Sequence, residues 1–247
     1  MAKQAVSLVL LALCAASLAA RLPGSWPTCQ YKDPNFNKCL SSSIEKVVYL
    51  LKDGDKQLGL NPIGPLKVDE MTLDLGSGPF SLLLNAKDIS FQGLEKTTFK
   101  EASVDMDKHE IKLKAFTPNM RLDFMYQASG KILVIAVKGD GPANIELDAP
   151  TTDVVIKGEP FQKKGKTYWN ITDFKIDIAP THMKSHFHEL LKGNAAVSEQ
   201  VNGFLNSDWK LFFQQIKGPA EEAFGQIFKS MAQRVFSRVP INDIFLD

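Results

Sequence analysis

The sequence predicts an α+β fold: a strongly curved antiparallel β-sheet rolled around one long C-terminal α-helix, with a short N-terminal helix. Apolar residues recur every three or four positions from Ser198 to Arg238, which is the period of a helix with a wide apolar face. Most of the chain between Leu66 and Ile178 has the pattern of short strands separated by turn residues. Because such a helix needs a large apolar partner, we expect the sheet to supply it.

Residues 1–20 are predicted to be a secretory signal peptide, which leaves residues 21–247 as a single mature domain. An early lysine precedes the largely apolar stretch 5–16, and we expect cleavage after Ala19 or Ala20. The alternative is a membrane anchor, but the apolar stretch is shorter than the ~20 residues that span a bilayer. We therefore expect a secreted, extracellular protein.

Two features fit an oxidising secretory route. Cys14 leaves with the signal peptide, so Cys29 and Cys39 remain as a pair and are expected to form one disulfide. Closing so short a loop should stabilise the fold by about 2 to 3 kcal/mol. Asn170 begins an Asn-Ile-Thr sequon, which the secretory machinery can glycosylate.

Charge is balanced along the chain, with 29 Lys and Arg against 28 Asp and Glu. Without a cluster of basic residues, there is no electrostatic reason for binding to nucleic acid or to an anionic membrane. No window after the signal peptide is apolar enough to span a bilayer. We therefore expect no nucleic-acid partner and no stable membrane insertion. We also expect the protein to be a monomer.

The N-terminal helix is predicted within residues 34–58, where apolar residues have helical spacing. It should end near Asp53-Gly54, and Pro62 and Pro65 prevent its continuation. The predicted strands follow in this order: 66–75, 80–91, 97–106, 110–116, 120–127, 131–138, 144–147, 154–156 and 168–178. The predicted turns are Gly76-Ser77-Gly78-Pro79, Asp107-Lys108, Thr117-Pro118-Asn119, Ser129-Gly130, Gly139-Asp140-Gly141-Pro142 and Lys164-Gly165.

Several strands alternate apolar and polar residues, so we expect one face of the sheet to be buried in the interior. In one strand, Met120, Leu122, Phe124 and Tyr126 share a face. A β-sandwich with a helix packed outside is the alternative to the roll, and periodicity does not separate the two. The breadth of the helical stripe favours the roll, since it widens to the adjacent pairs Phe212-Phe213 and Ile227-Phe228.

An unbroken helix over residues 198–238 would be about 60 Å long, whereas a compact domain of this size is about 45 Å across. The domain is therefore elongated or the helix is broken. Gly218-Pro219 is the expected bend, because a proline inside a helix clashes with the carbonyl four residues earlier, here that of Gln215.

Patterns typical of catalysis are missing. The Gly-x-Ser-x-Gly motif of many hydrolases is absent, and Gly165-Lys166-Thr167 lacks the earlier glycine of a phosphate-binding loop. Gly139-Asp140-Gly141 lacks the third glycine of a dinucleotide-binding motif. We expect neither an enzyme nor a cofactor.

Three histidines, His182, His186 and His188, lie close together in the sequence. Residues four apart on a helix could share a metal ion, but we expect the start of a solvated helix near Pro180-Thr181 and no metal site.

Several segments resemble the Takeout and juvenile hormone-binding protein family of insects. In chain order they are Leu22-Pro23 followed by Cys29, Asp33-Pro34-Asn35, Cys39-Leu40, residues 126–133 followed by Gly139-Asp140-Gly141, residues 187–194, residues 202–209 and residues 240–246. The order and spacing of these motifs cover essentially the whole mature chain. No cysteine follows Cys39, so the sequence is more similar to the Takeout-like branch, although Glu189-Leu190-Leu191 replaces its Asn-Leu-Phe motif.

The resemblance implies a curved sheet wrapped around a long helix, with an apolar tunnel that carries a small lipid, and so favours the roll over the sandwich. We predict a secreted carrier of a small hydrophobic ligand, either juvenile hormone or a similar isoprenoid or fatty-acyl lipid. The alternatives are a lipid-sequestering defence protein and a chemosensory protein that binds odorants or pheromones.

The candidate ligand-binding residues come from the apolar faces of the strand and the helix. Tyr126 is the candidate polar contact, unless its hydroxyl reaches the surface at the strand end. The full set is Leu122, Phe124, Tyr126, Trp209, Phe213, Phe224 and Phe228. About half of the four helical residues are expected to be ordinary core instead.

Overall fold

The computed structural model describes residues 21–76 and 78–247 and has the predicted α+β architecture. Curved antiparallel sheet structure packs against a long C-terminal helix, and a short helix lies at the N-terminal end. The fold class is therefore confirmed. The predicted signal peptide with Cys14, and Ser77 in the first predicted turn, lie outside the described residues.

The elements have the following bounds in chain order: β1 (Cys29–Gln30), α1 (Phe36–Leu50), β2 (Leu66–Asp74), β3 (Phe80–Gln92), β4 (Thr98–Asp105), β5 (Glu110–Phe116), β6 (Asn119–Ile132), β7 (Ile135–Asp148), β8 (Thr151–Lys163), β9 (Lys166–Ala179), β10 (His182–Phe187), α2 (Ala195–Ser207), α3 (Trp209–Phe236), α4 (Ile241–Ile244) and β11 (Phe245–Leu246). A short 3-10 turn extends α1 to Asp53, and Gly54 then ends it with a left-handed φ of 75°.

The strands form two antiparallel ladders. One has the order β10-β7-β6-β3-β2 and the other the order β4-β5-β8-β9. Strand β7 passes into β8 through the short connection at Ala149-Pro150. Along β6 the predicted alternation holds, with Phe124 and Tyr126 buried and Met125 exposed between them, so the ladders present apolar faces to the interior.

The β6–β7 hairpin corrects two predicted turns. Ser129-Gly130 and Gly139-Asp140-Gly141-Pro142 lie inside strands that pair continuously from Asn119↔Asp148 to Ile132↔Ile135. The chain reverses instead at Leu133-Val134, where Leu133 adopts a φ of 53°. Gly130 allows β6 to approach β3 closely, because a Cβ on it would lie 2.0 Å from the backbone oxygen of Ser81.

The C-terminal helical region breaks at Asp208, between α2 and α3, and not at Gly218-Pro219 as expected. Asp208 has a φ of −115° and a ψ of 48°, outside the helical region. Helix α3 continues through Pro219. Because Gly218 is exposed, this turn of the helix reaches solvent, where the carbonyl of Gln215 can be hydrated.

Helix α3 lies along β9 in close contact. The rings of Phe228 and Phe174 are 5.9 Å apart, and Phe236 stacks on Trp169 at the same distance. At Gly225 a Cβ would lie 2.8 Å from the backbone oxygen of Phe174. A glycine at this position therefore allows the helix to approach the sheet.

The segment of the three histidines is strand β10 and not the start of a helix. It pairs with β7 from His182↔Asp148 to Phe187↔Ala143. Met183 and Ser185 are buried and alternate with the exposed His182 and Lys184, which is the period of a strand. The spacing of His182 and His186 fits this period as well as a helical one, so the prediction was wrong.

The N-terminal region is fastened to the C-terminal end of the chain. A disulfide joins Cys29 of β1 to Cys39 of α1, with the Cα atoms 6.0 Å apart. Strand β1 pairs in parallel with β11, and Cys29 is opposite Phe245. The first and last described strands therefore lie side by side.

Candidate functional site

A cavity of about 440 Å³ lies between α3, α1 and the concave faces of the strands. This volume is within the range of small-molecule sites, roughly 300 to 1,000 Å³. Its lining is dominated by aliphatic and aromatic side chains, including Val47, Val48, Leu94, Leu113, Ile145, Ile156, Phe174, Ile176, Phe213, Phe228, Met231 and Phe245. The cavity is therefore suited to an apolar molecule.

A second cavity of about 80 Å³ adjoins the first. Five residues line both cavities and form the partition between them: Leu122, Ile145, Ile216, Ala220 and Phe224. The second cavity extends from this partition towards β2 and β3, where Met71 and Leu84 line it.

The structure brings five of the seven predicted ligand-binding residues to these cavities. Leu122, Phe213, Phe224 and Phe228 line the larger cavity, and Phe124 lines the smaller one. Trp209 lines neither cavity, and its ring packs 5.4 Å from that of His182 and 6.4 Å from that of Phe213.

Tyr126 also lies outside the lining of both cavities, so the structure does not bring this candidate polar contact to them. Its side chain is buried, and its hydroxyl donates a hydrogen bond of 2.6 Å to the backbone oxygen of His188. Burial raises the pKa of Tyr126 well above its usual value. The hydroxyl therefore neither reaches the surface nor faces a ligand space.

Polar residues that the sequence analysis missed lie in the wall of the larger cavity. Thr97 and Thr117 contact each other through their hydroxyls, 2.8 Å apart, and Thr152 lines the same cavity. Thr117 belongs to a predicted turn, and nothing in its sequence context indicates a cavity position. Only the strand register, which no sequence pattern specifies, brings these threonines together.

Two charged side chains on α3 also line the cavity, namely Lys217 and Glu221. Lys217 Nζ lies 2.5 Å from Asp177 Oδ1 and 3.7 Å from Glu221 Oε1, and the hydrogen bond to Asp177 raises its pKa. Glu221 Oε1 accepts a hydrogen bond of 2.7 Å from the backbone N–H of Ile178. Burial raises the pKa of Glu221.

Two asparagines on α2 bind the free edge of β10. Asn202 accepts a hydrogen bond of 3.0 Å from the N–H of Phe187 and donates one of 2.9 Å to its carbonyl. Asn206 makes the same pair of bonds, both 2.8 Å, with Ser185. The amides thus replace a neighbouring strand and protect an edge that could otherwise pair with another chain.

Three further predictions concern glycosylation, metal binding and membrane insertion. Asn170 of the sequon is exposed on β9. Within residues 21–76 and 78–247, no group of three or more His, Cys, Asp or Glu side chains could hold a metal ion. None of the helices in this part of the chain has the length and apolar character needed to cross a membrane.

Comparisons with known proteins agree with this architecture. The chain superposes on the crystal structure of Takeout 1 from Epiphyas postvittana with a TM-score of 0.79 and 20% identity, over 89% of this chain and 99% of that chain. It is 22% identical over 243 residues to the circadian clock-controlled protein daywake of Drosophila melanogaster, covering 94% of this chain and 91% of that protein. It is 25% identical over 224 residues to a putative beta-carotene-binding protein of Schistocerca gregaria, covering 88% and 87% of the two chains.

The sequence model of one family matches almost the entire chain. The match extends over residues 8–246, and the family is described as haemolymph juvenile hormone binding protein. Its members are carriers that bind small hydrophobic ligands. The chain therefore belongs to the juvenile hormone-binding protein family and has the Takeout fold.

Proposed function

We propose that the protein is a secreted carrier that holds a small hydrophobic ligand in the 440 Å³ cavity, and that this cavity and the adjoining 80 Å³ space together form an apolar tunnel. The ligand class is an isoprenoid or fatty-acyl lipid, such as a juvenile hormone. Residues 1–20 act as the signal peptide, and residues 21–247 form one monomeric domain. The observation that carries the proposal is the apolar lining of the cavity, on which Phe213, Phe224 and Phe228 lie.

The energetics are adequate without charged contacts. A chain of about fifteen carbons gains roughly 12 kcal/mol on transfer from water, at about 0.8 kcal/mol per CH₂. Association costs at least ~4 kcal/mol, so a dissociation constant in the micromolar range is within reach. The similarity to a protein described as binding beta-carotene also supports an apolar ligand.

The test is native mass spectrometry of the protein secreted by insect cells, followed by extraction and identification of any lipid that it carries. We expect a non-covalent adduct of defined mass and a polypeptide that begins at Ala20 or Arg21. A protein that is empty and also fails to bind added juvenile hormone or fatty acids would contradict the proposal.

A further inference from the structure

The hydroxyl pair of Thr97 and Thr117 is a polar spot in the wall of an apolar cavity. Thr117 is 1% exposed and Thr97 is 8% exposed, and their hydroxyl oxygens are 2.8 Å apart. The backbone holds both in place, because Thr97 N–H donates to the carbonyl of Leu94 at 3.1 Å and Thr117 N–H to that of Pro150 at 3.0 Å. The pair is therefore buried and positioned before any ligand arrives.

The hydrogen bonds of this pair leave one donor unused. A threonine hydroxyl has one hydrogen to donate and can accept two hydrogen bonds. In the contact between Thr97 and Thr117 one hydroxyl donates to the other. No other residue in the described part of the chain bonds either hydroxyl, so one hydroxyl hydrogen lacks an acceptor. Since a buried donor without a partner is costly, an oxygen atom of a ligand would bind there favourably.

The charged side chains that line the cavity are already paired and do not favour an ionised ligand. In the register of β8, Thr152 lies opposite Ala115 of β5 on one side and Ile178 of β9 on the other. Glu221 binds the N–H of Ile178, and Lys217 is already matched by Asp177 and Glu221. The described cavity lining contains no other ionisable side chain. A ligand carboxylate would therefore be buried without a free cation, which is strongly unfavourable.

We propose that the Thr97–Thr117 hydroxyl pair is the polar anchor of the cavity and selects an uncharged lipid with a hydrogen-bond-accepting oxygen, such as an ester or a ketone, over the corresponding acid and hydrocarbon. The inference rests on the proposed carrier function and narrows its ligand class.

The experiment measures how well three probes of equal chain length displace the fluorescent dye N-phenyl-1-naphthylamine from the secreted protein. The probes are methyl myristate, tetradecane and myristic acid. We expect the ester to bind about tenfold more tightly than tetradecane, since one additional hydrogen bond corresponds to about a factor of ten. We also expect it to bind more tightly than myristic acid, whose carboxylate would be buried without a free cation.

The decisive variant is the double substitution Thr97→Val and Thr117→Val. It removes both hydroxyls together, so that neither is left buried alone, and keeps the side chains close to their original volume. We expect it to lose the tenfold preference for the ester while the affinity for tetradecane is unchanged. The matched control is Thr98→Val, at an exposed position next to Thr97 that does not line the cavity, and it should keep the preference. Thermal unfolding of all three proteins identifies any loss of folding.

The outcomes separate the two proposals. If the ester binds the double variant as tightly as the unsubstituted protein, or if the acid binds as tightly as the ester, the anchor is wrong and the carrier function stands. If no probe displaces the dye from the unsubstituted protein, the carrier function itself fails, and the anchor with it.

Discussion

The hydroxyl of Tyr126 is bound to the backbone oxygen of His188 at 2.6 Å. This bond connects the middle of β6 to the segment that follows β10, 62 positions later in the sequence. The Tyr126 ring packs edge-on against Phe187, with the centroids 5.3 Å apart. Tyr126 thus fastens the end of the edge strand to the sheet.

Tyr126→Phe should reduce stability and leave ligand binding unchanged. Loss of the hydroxyl leaves the His188 carbonyl without this donor, and we expect the free energy of unfolding to fall by about 1 kcal/mol. Urea denaturation measures the fall, and dye displacement measures binding. A large loss of affinity with unchanged stability would instead indicate that the hydroxyl contacts the ligand.

Phe228→Arg should abolish ligand binding while the protein is still secreted. Phe228 lines the larger cavity beside Phe174. A guanidinium there would fill the space and bring a charge without a partner into an apolar site, so we expect at least about a hundredfold loss of affinity. The matched control is Val134→Arg, at a hairpin position that is 93% exposed, which should bind normally. Unchanged affinity in Phe228→Arg would show that the ligand lies elsewhere.

Asn202→Ala should be among the more destabilising single substitutions in the C-terminal half of the chain. It leaves both the N–H and the carbonyl of Phe187 without their buried partner, and each such group costs about 1 to 3 kcal/mol. Chemical denaturation should show a loss of about 2 to 4 kcal/mol. The exposed Asn242, which contacts Asp247, provides the comparison, and its replacement by Ala should have little effect. Equal effects of the two substitutions would argue against the edge-protecting role of α2.

Glu221 should make stability decrease as pH rises from acid. Burial raises its pKa in the folded protein above the usual 4.5, so the folded state binds this proton more tightly than the unfolded state. This contribution to stability is therefore fully present below pH 4.5 and is lost as pH rises through the raised pKa.

Glu221→Gln isolates this effect, because the amide oxygen can still accept the hydrogen bond from Ile178. We expect the stability of the unsubstituted protein relative to the variant to be greatest near pH 4 and to decline towards neutral pH. Thermal denaturation over this range measures it. A relative stability that stays constant or rises with pH would contradict the raised pKa.

Several elements could be predicted because a single physical rule determines them. The alternation in β6 specifies which face is buried, and Gly54 with the following prolines ends the N-terminal helix. The hairpin at Leu133-Val134 could not be predicted, because Gly130 is the stronger turn signal in this region. Gly130 is a glycine because the backbone of Ser81 lies too close for a side chain, and only the folded sheet reveals this neighbour.

The candidate site could be predicted only in part, for a related reason. Helical periodicity finds Phe224 and Phe228 because it marks the apolar face, but it does not separate residues that line a void from residues that contact the sheet. The Tyr126 hydroxyl bonds the backbone oxygen of His188, which is distant in sequence. No pattern near Tyr126 could therefore predict this hydrogen bond. The Thr97–Thr117 pair likewise depends on how β5 and the turn before β4 meet.

The pairing of β1 with β11 brings together two parts of the cavity wall that lie far apart in the sequence. Cys29 and Phe245 both line the cavity, although almost the whole chain separates them, and contacts of such long range form late because closing a long loop costs entropy. The disulfide joins residues only ten positions apart, so it fastens α1 to β1 without hastening this closure. We therefore expect the wall near β11 to be the last to form. A lipid present during refolding would then enter faster than one added to the finished protein.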